Sequence, residues 1–252
     1  MKSKNFKIVT HGDADQSRRR EQLVKLLENW PVPNNEKLLN LGTFLVPQTL
    51  SRILFMDFLY RQILDVQGTV FDFGTRWGQN LSLFTSFRGI YEPFNHLRKV
   101  AAFDTFKGFP KITKEDGKSK IMNKKNYAVT PHYEDYLAQI INIQEQESPL
   151  SHIKKHEIIK GDASVEIKKY IKRNPETIVA LAYFDFDLYK PTKECLSTIR
   201  NRLTKGSVLG FDELNDHHCP GETLAVKDVL GLNRYKIQRF PYNSRTSYLI
   251  ID

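Results

Sequence analysis

From Thr69 onward, short apolar runs alternate with stretches whose apolar residues return every three or four positions. A short continuous run reads as a buried strand, and the wider spacing reads as one face of a helix. The pattern predicts strands at Thr69–Phe73, Lys99–Asp104, Glu157–Lys160, Ile178–Asp185 and Ser207–Phe211, with two short ones near Tyr235–Arg239 and Ser247–Ile251. Between them it predicts a helix at Asn80–Arg88, with Leu81, Phe84 and Phe87 inward, and another at Ser164–Asn174. Two more follow at Thr192–Leu203, with Leu196, Ile199 and Leu203 on one face, and at Gly221–Leu230. Such alternation specifies an α/β fold, a doubly wound parallel sheet with ligands at the carboxyl ends of its strands.

Before Thr69 the pattern is helical and weaker. Ser17-Arg18-Arg19-Arg20-Glu21 opens a short helix through Leu23, Leu26 and Leu27, which Pro31 and Pro33 end. A second helix is predicted at Thr49–Leu64, with Leu50, Ile53, Leu54, Met56, Leu59 and Ile63 crowding one side, and Gly68 closes it. Residues 1–67 are therefore expected to be an N-terminal helical extension or cap, and 68–252 the main domain. One segment breaks the rhythm of that domain, between Asp104 and His156, where such folds need far fewer residues. Residues 111–155 carry Lys111, Lys114, Lys118, Lys120, Lys124 and Lys125, then Tyr127, Tyr133 and Tyr136. A basic, aromatic insertion near strand ends suits a lid or an acceptor-binding loop; a plain surface loop is the alternative.

The bulk numbers narrow the class. A chain of 252 residues can bury a full core, and its formal charge of +9 admits nucleic acid, a membrane surface or a small anionic substrate as partner. Two cysteines, Cys195 and Cys219, make no disulfide framework. Met1–Thr10 has lysines but no apolar core of a signal peptide, and no window is long and apolar enough to span a membrane. A cytoplasmic protein with no membrane partner is expected.

Candidate chemistry gathers at the strand ends. Thr69–Asn80, Thr-Val-Phe-Asp-Phe-Gly-Thr-Arg-Trp-Gly-Gln-Asn, is an apolar run ending in an acid, followed by two glycines four residues apart. Gly74 and Gly78 let backbone come close to something a Cβ would exclude. The spacing is not Gly-x-Gly-x-x-Gly, no Gly-Lys-Ser/Thr follows, and Asp72 would repel a pyrophosphate. A ligand with a cationic head suits the turn better. The other strands also end in acids: Asp104, Asp162 after Gly161, Asp185-Phe186-Asp187, and Asp212-Glu213. One such acid could simply cap the next helix, but a set of them sharing a crevice would repel unless cations occupy it. An organic cation with ribose hydroxyls would find Asp104 for the ribose and Asp162 for an adenine amine. Asp185, Asp212 and Glu213 offer the oxygen ligands that Mg²⁺ or Mn²⁺ prefers. His217-His218-Cys219 lacks a spaced second ligand pair for zinc and reads as a loop lining the crevice.

Asp72-x-Gly74-x-x-x-Gly78 resembles motif I of class I S-adenosylmethionine-dependent methyltransferases. Phe103-Asp104-Thr105-Phe106-Lys107-Gly108-Phe109-Pro110, Gly161-Asp162-Ala163, Asp185-Phe186-Asp187-Leu188-Tyr189-Lys190-Pro191-Thr192 and Asp212-Glu213 with Pro220, Gly221 and Ala225 follow in the order of the macrocin O-methyltransferase family. Family members methylate sugar hydroxyls on macrolides and related glycosides. The similarity covers about Gly68 to Asp252. Glu213 stands where the family commonly has a second aspartate, and Asn80 lies where it commonly has a small hydroxyl residue.

The resemblance implies a Rossmann-like class I methyltransferase fold, a mostly parallel seven-stranded sheet with helices on both faces and an antiparallel C-terminal strand. It implies a sugar O-methyltransferase using S-adenosyl-L-methionine and Mg²⁺ (or Mn²⁺) on a nucleotide-activated sugar, a surface polysaccharide or a natural-product glycoside, with a homo-oligomer expected. The cofactor would meet Asp72, Phe73, Gly74, Thr75, Gly78, Asn80, Asp104, Thr105, Phe106, Asp162, Ala163 and Asp185. The metal would be held by Asp185, Asp212 and Glu213. Asp185 and Asp187 share the catalytic role, one as ligand and one as proton acceptor, in an order the residues leave open; His132 is an alternative base. The lysine-rich insertion suggests an anionic acceptor such as a nucleotide-activated sugar. Against it stand an RNA or DNA methyltransferase, which the acidic crevice disfavours, and a non-catalytic cofactor-binding module, which the costly acid cluster disfavours. No nucleic acid partner is expected.

Overall fold

Every apolar run after Gly68 is a strand of one sheet. The strands are β1 (Thr69–Phe73), β2 (Val100–Asp104), β3 (His156–Lys160), β4 (Val179–Phe184), β5 (Leu203–Phe211), β6 (Gln238–Arg239) and β7 (Ser247–Ile250). This computed structural model describes residues 14–120, 122–123 and 126–252. Met1–Thr10, and Lys124 and Lys125 of the basic insertion, lie outside the described residues. The sheet order is β3-β2-β1-β4-β5-β7-β6, with β1 to β5 parallel and β7 antiparallel to both β5 and β6. β1 and β4 are buried at every residue, as central parallel strands covered on both faces must be.

The chain divides into two units, Met1–Arg52 and Ile53–Asp252. The first holds α1 (Ala14–Glu28), α2 (Asn34–Lys37) and a 3₁₀ stretch at Leu38–Phe44. Trp30 meets Phe44 edge-on at 4.8 Å, while Leu38 and Leu39 stay exposed. α3 (Pro47–Arg61) runs on into the second unit, where it buries Phe55, Met56, Leu59 and Tyr60.

In the second unit, strand alternation sends Val70 to one face of the sheet and Phe71 and Phe73 to the other. Val70 joins a core built with α3, α4 (Gln79–Tyr91) and α5 (Tyr133–Gln146). Phe71 and Phe73 join a core built with α6 (Ala163–Arg173), α7 (Tyr189–Ile199) and α8 (Gly221–Val229). α7 begins three residues earlier than its periodicity suggests. Pro191 is then its third residue, inside the first turn, where a missing N–H breaks no helical bond.

α5, like the four-residue α2, is a helix that the sequence pattern did not announce. It lies in the 111–155 insertion and buries Leu137, Ile141 and Glu145. Glu145 is 3% exposed and is met by the Arg88 guanidinium, the His156 ring, the Lys155 N–H (3.1 Å) and the Lys155 ammonium (3.2 Å). Arg88 also donates to the Lys155 carbonyl at 2.9 Å. This buried ionic knot ties the insertion to α4 and to the start of β3, so the segment is not a plain surface loop.

Candidate active site

The loops leaving β1, β2, β4 and β5 each hold a non-glycine residue in the left-handed region: Arg76 (φ +48°), Phe106 (φ +56°), Asp187 (φ +57°) and Asn215 (φ +66°). Such backbone costs about 1–3 kcal/mol per residue and gathers where a site over-determines it. The acids singled out in the sequence lie at these same strand ends, apart from Asp162, which follows β3.

Beside β1, Asp72 is fully buried beneath the glycine turn, and Asn80 Nδ2 donates to its Oδ1 at 3.3 Å. Phe73 and Thr75 are buried too, with Thr75 Oγ1 donating to the Asp72 carbonyl at 3.2 Å. Gly74 has φ +91°, and a Cβ there would stand 2.0 Å from the Asp185 carbonyl oxygen. A Cβ on Gly78, at φ +83°, would meet Leu137 of α5 at 2.3 Å. What these two glycines make room for is therefore the chain itself, the start of the β4 loop and the insertion helix.

Asp104 ends β2 with both oxygens oriented by backbone: Arg76 N–H donates to Oδ2 at 2.8 Å and Phe106 N–H to Oδ1 at 2.6 Å. Burial raises its pKa, and those two donors with the Arg76 charge oppose the rise. A carboxylate has about four acceptor positions, so capacity for ligand hydroxyls remains on each oxygen. Thr105 Oγ1 donates to the Gly108 carbonyl at 2.7 Å and shapes the turn in which Phe106 is buried. Asp162 is the N-cap of α6, accepting from Ser164 N–H at 2.9 Å, and Ala163 is buried beside it. The capping alternative holds for Asp162, without using up its acceptor capacity.

The acids after β4 and β5 form one cluster. Asp185, Asp212 and Glu213 each place a carboxylate oxygen so that the three lie within 4.8 Å of one another. Tyr183 donates to Asp212 Oδ1 at 2.7 Å. Arg245, from the loop before β7, donates to Glu213 Oε1 at 3.1 Å, while Glu213 Oε2 is buried without a hydrogen-bond partner. Asp187 lies deeper than Asp185, at 4% exposure. Burial, and then the charges of Asp187, Glu222, Asp212 and Asp185, pushes the Glu213 carboxyl up; burial also raises Asp187, with Glu213 and the Arg245 charge opposing the rise. His132 is far more exposed and pairs with Asp135 at 3.8 Å on the insertion, and His217 packs on His218 with ring centres 3.8 Å apart.

Two acids of the site escaped the sequence pattern. Glu222, fully buried in the first turn of α8, accepts from Phe186 N–H at 3.1 Å and Glu213 N–H at 3.3 Å, bracing the two acid-bearing loops against each other. Asp116, also fully buried, accepts from Tyr189 N–H at 2.6 Å and from Thr113 N–H at 2.5 Å, tying the insertion to the start of α7. Their signals, an acid in a helix's first turn and Thr-x-x-Asp, are common on surfaces and say nothing of burial.

No family model and no curated relative matches the sequence. Among solved structures, calicheamicin methyltransferase CalS11 is 37% identical over 99% of both chains, with a TM-score of 0.93. The apo structure of CalS11, named there a TDP-rhamnose 3′-O-methyltransferase, matches over 96% of both chains at 37% identity and a TM-score of 0.85. The O-methyltransferase NovP is 16% identical over 80% of this chain and 79% of its own, with a TM-score of 0.58, and shares the fold. The sheet order, with its antiparallel β7 and acid-ended strands, is that of a class I methyltransferase. With full-length identity of this order, the chain belongs to the macrocin O-methyltransferase family and is an S-adenosylmethionine-dependent O-methyltransferase.

Proposed function

We propose that the protein methylates a hydroxyl of a nucleotide-activated sugar, with a divalent metal held by Asp185, Asp212 and Glu213. The observation that carries the metal is the cluster itself: three carboxylate oxygens within 4.8 Å, a partnerless buried oxygen on Glu213, and Arg245 as the neighbouring cation. Buried like charges at this spacing are costly unless a cation shares them. The donors are hard oxygens, which suit Mg²⁺ or Mn²⁺ better than zinc. A divalent cation there supplies charge that makes a nearby sugar hydroxyl easier to ionise and fixes its direction.

S-adenosylmethionine supplies a methyl group already activated by its sulfonium. The chain's task is to hold donor and acceptor in line. Asp104 would accept the ribose hydroxyls through the capacity its two backbone donors leave, and Asp162 the adenine amine. Thr105, Phe106 and Ala163 line that end of the cofactor. Phe73, Gly74, Thr75, Gly78 and Asn80 form the turn at the methionine end, with Asp72 beneath it contributing negative charge to a cationic ligand. Asp185 and Asp187 are the carboxylates nearest to take the acceptor's proton, a role worth about 10²–10⁴-fold.

A nucleotide sugar fits the net charge of +9 and the exposed Lys111, Lys114, Lys118 and Lys120 on the insertion. CalS11, a relative over the whole chain, is named for a TDP-sugar. The insertion would then be the acceptor-binding lid of a domain whose core takes in Phe55, Met56, Leu59 and Tyr60 of α3. Among the described residues no helix is long and apolar enough to cross a membrane. The test is methyl transfer from labelled S-adenosylmethionine to a panel of nucleotide sugars, with and without EDTA, by the wild type and Asp212→Ala. Transfer abolished by chelation and restored by Mg²⁺ is expected, with Asp212→Ala inactive. Transfer untouched by both EDTA and the substitution refutes the metal site.

A further inference from the structure

Around the amino ends of the strands, away from the acid cluster, the second unit displays six large apolar side chains. They are Leu54 on α3, Leu64 and Leu97 in the segments leading into β1 and β2, and Ile90, Tyr91 and Phe94 at the end of α4 and just beyond. Their exposure runs from 38% for Tyr91 to 72% for Phe94. The segments that bear them are tied together. Tyr91 stacks on Tyr60 of α3 with ring centres 6.3 Å apart, and its hydroxyl donates at 2.6 Å to Asp57, one helical turn on from Leu54. The buried Arg98 guanidinium fastens the rest. It donates to Glu92 at 2.9 Å, to the carbonyls of Ile63 and Val66 at 2.8 Å, and to that of Gly68 at 2.6 Å. The end of α3, the loop after α4 and the approach to β1 are thus one rigid base, which lowers the ordering cost of an association.

A single exposed leucine needs no explanation, but a large patch with a polar rim marks an interaction surface. Its size suits a second copy of the chain. A stable dimer buries about 800 Å² per partner, about 65% of it apolar when the two copies are identical, hence about 500 Å² of apolar surface. At the exposures found, two aromatic and four aliphatic side chains offer about 450 Å². Charge points the same way. Asp57 and Arg61, an acid and a base one turn apart on α3, lie beside the patch with 3.8 Å between them. Such a pair is self-complementary across a twofold axis, where Arg61 of each copy can meet Asp57 of the other.

We propose that this surface is the interface of a twofold-symmetric dimer, in which α3 and the end of α4 of each copy cover those of the other. The parallel strands carry their acids at the opposite ends, so both active sites stay open and each copy works alone.

The test is sedimentation velocity of the full chain at about 1–50 µM, above the µM-to-pM dissociation constants of an interface this size. The wild type should sediment as a dimer. Phe94→Glu places an unpaired charge in the contact twice per dimer and should raise the dimer Kd at least about 30-fold, as loss of an aromatic anchor does. Leu54→Glu, on a different element, should weaken the dimer as well. Val165→Glu, at a half-exposed apolar residue of α6 outside the patch, should leave it intact. S-adenosylhomocysteine binding close to wild type in all three variants shows that they fold. A wild type that is monomeric throughout this range, as it would be if residues 1–13 of the same chain or a different protein took the surface, overturns the proposal. So does a dimer that both Phe94→Glu and Leu54→Glu leave intact, because its contact then lies elsewhere.

Discussion

Substituting Glu145→Gln removes the carboxylate on which Arg88, Lys155 and His156 converge, at the point where the insertion is tied to the sheet. Burial alone would raise the pKa of Glu145; the His156 hydrogen bond and the Arg88 charge, with the Lys155 N–H, bring it from 4.5 down to about 2. At about 1.4 kcal/mol per pKa unit, that depression amounts to about 3 kcal/mol of folding stability. Removing one partner of a buried ion pair costs about 3–5 kcal/mol by itself, which agrees in size. Because the folded pKa lies below the unfolded one, the contribution is complete above pH 4.5 and is lost as pH falls through about 2. The expected result at pH 7 is a melting temperature about 6–12 °C below wild type, from about 2–4 °C per kcal/mol for a chain of this size. Urea denaturation at pH 7, 5, 4 and 3 should show the gap between the two proteins constant above pH 5 and closing below pH 4. A melting temperature within 2 °C of wild type at pH 7, at about the sensitivity of the method, would refute the idea that this carboxylate anchors α5. A gap that stays constant down to pH 3 would refute the charge argument specifically.

Gly74→Ala should not yield a stable protein: its Cβ would stand 2.0 Å from the Asp185 carbonyl, at a positive φ, and neither backbone can give way. A loss of at least about 3 kcal/mol is expected, read as insoluble expression or an early melt, and a variant with wild-type stability would contradict the geometry. Asp104→Asn turns one oxygen of the β2 acid into a donor facing a backbone N–H, Arg76 or Phe106. It should raise the S-adenosylhomocysteine Kd about 10- to 100-fold and cost about 1–3 kcal/mol of stability for the unpaired donor, and an unchanged Kd would remove Asp104 from the cofactor site.

Much of the fold could be read from the chain because its signals are local. Burial on both faces of a parallel strand leaves a continuous apolar run, and each run from Thr69 to Phe211 marks a strand of the sheet. α5 was harder to see because exposed Tyr136 and Ile143 blur the stripe of Leu137 and Ile141, and the third residue of its buried face, Glu145, is charged. The carboxyl ends of the strands could also be read, since an acid after an apolar run is visible wherever it occurs.

The residues' own order along the chain therefore determined the sheet, the acids at its ends and the family likeness. What Gly74 and Gly78 exclude and what Glu222 and Asp116 brace were decided only by tertiary contact. Gly74 meets Asp185, Gly78 meets Leu137 and Arg76 meets Tyr127, all pairs distant in sequence. A periodic pattern records which way a side chain points; it carries no record of which distant partner it will find there.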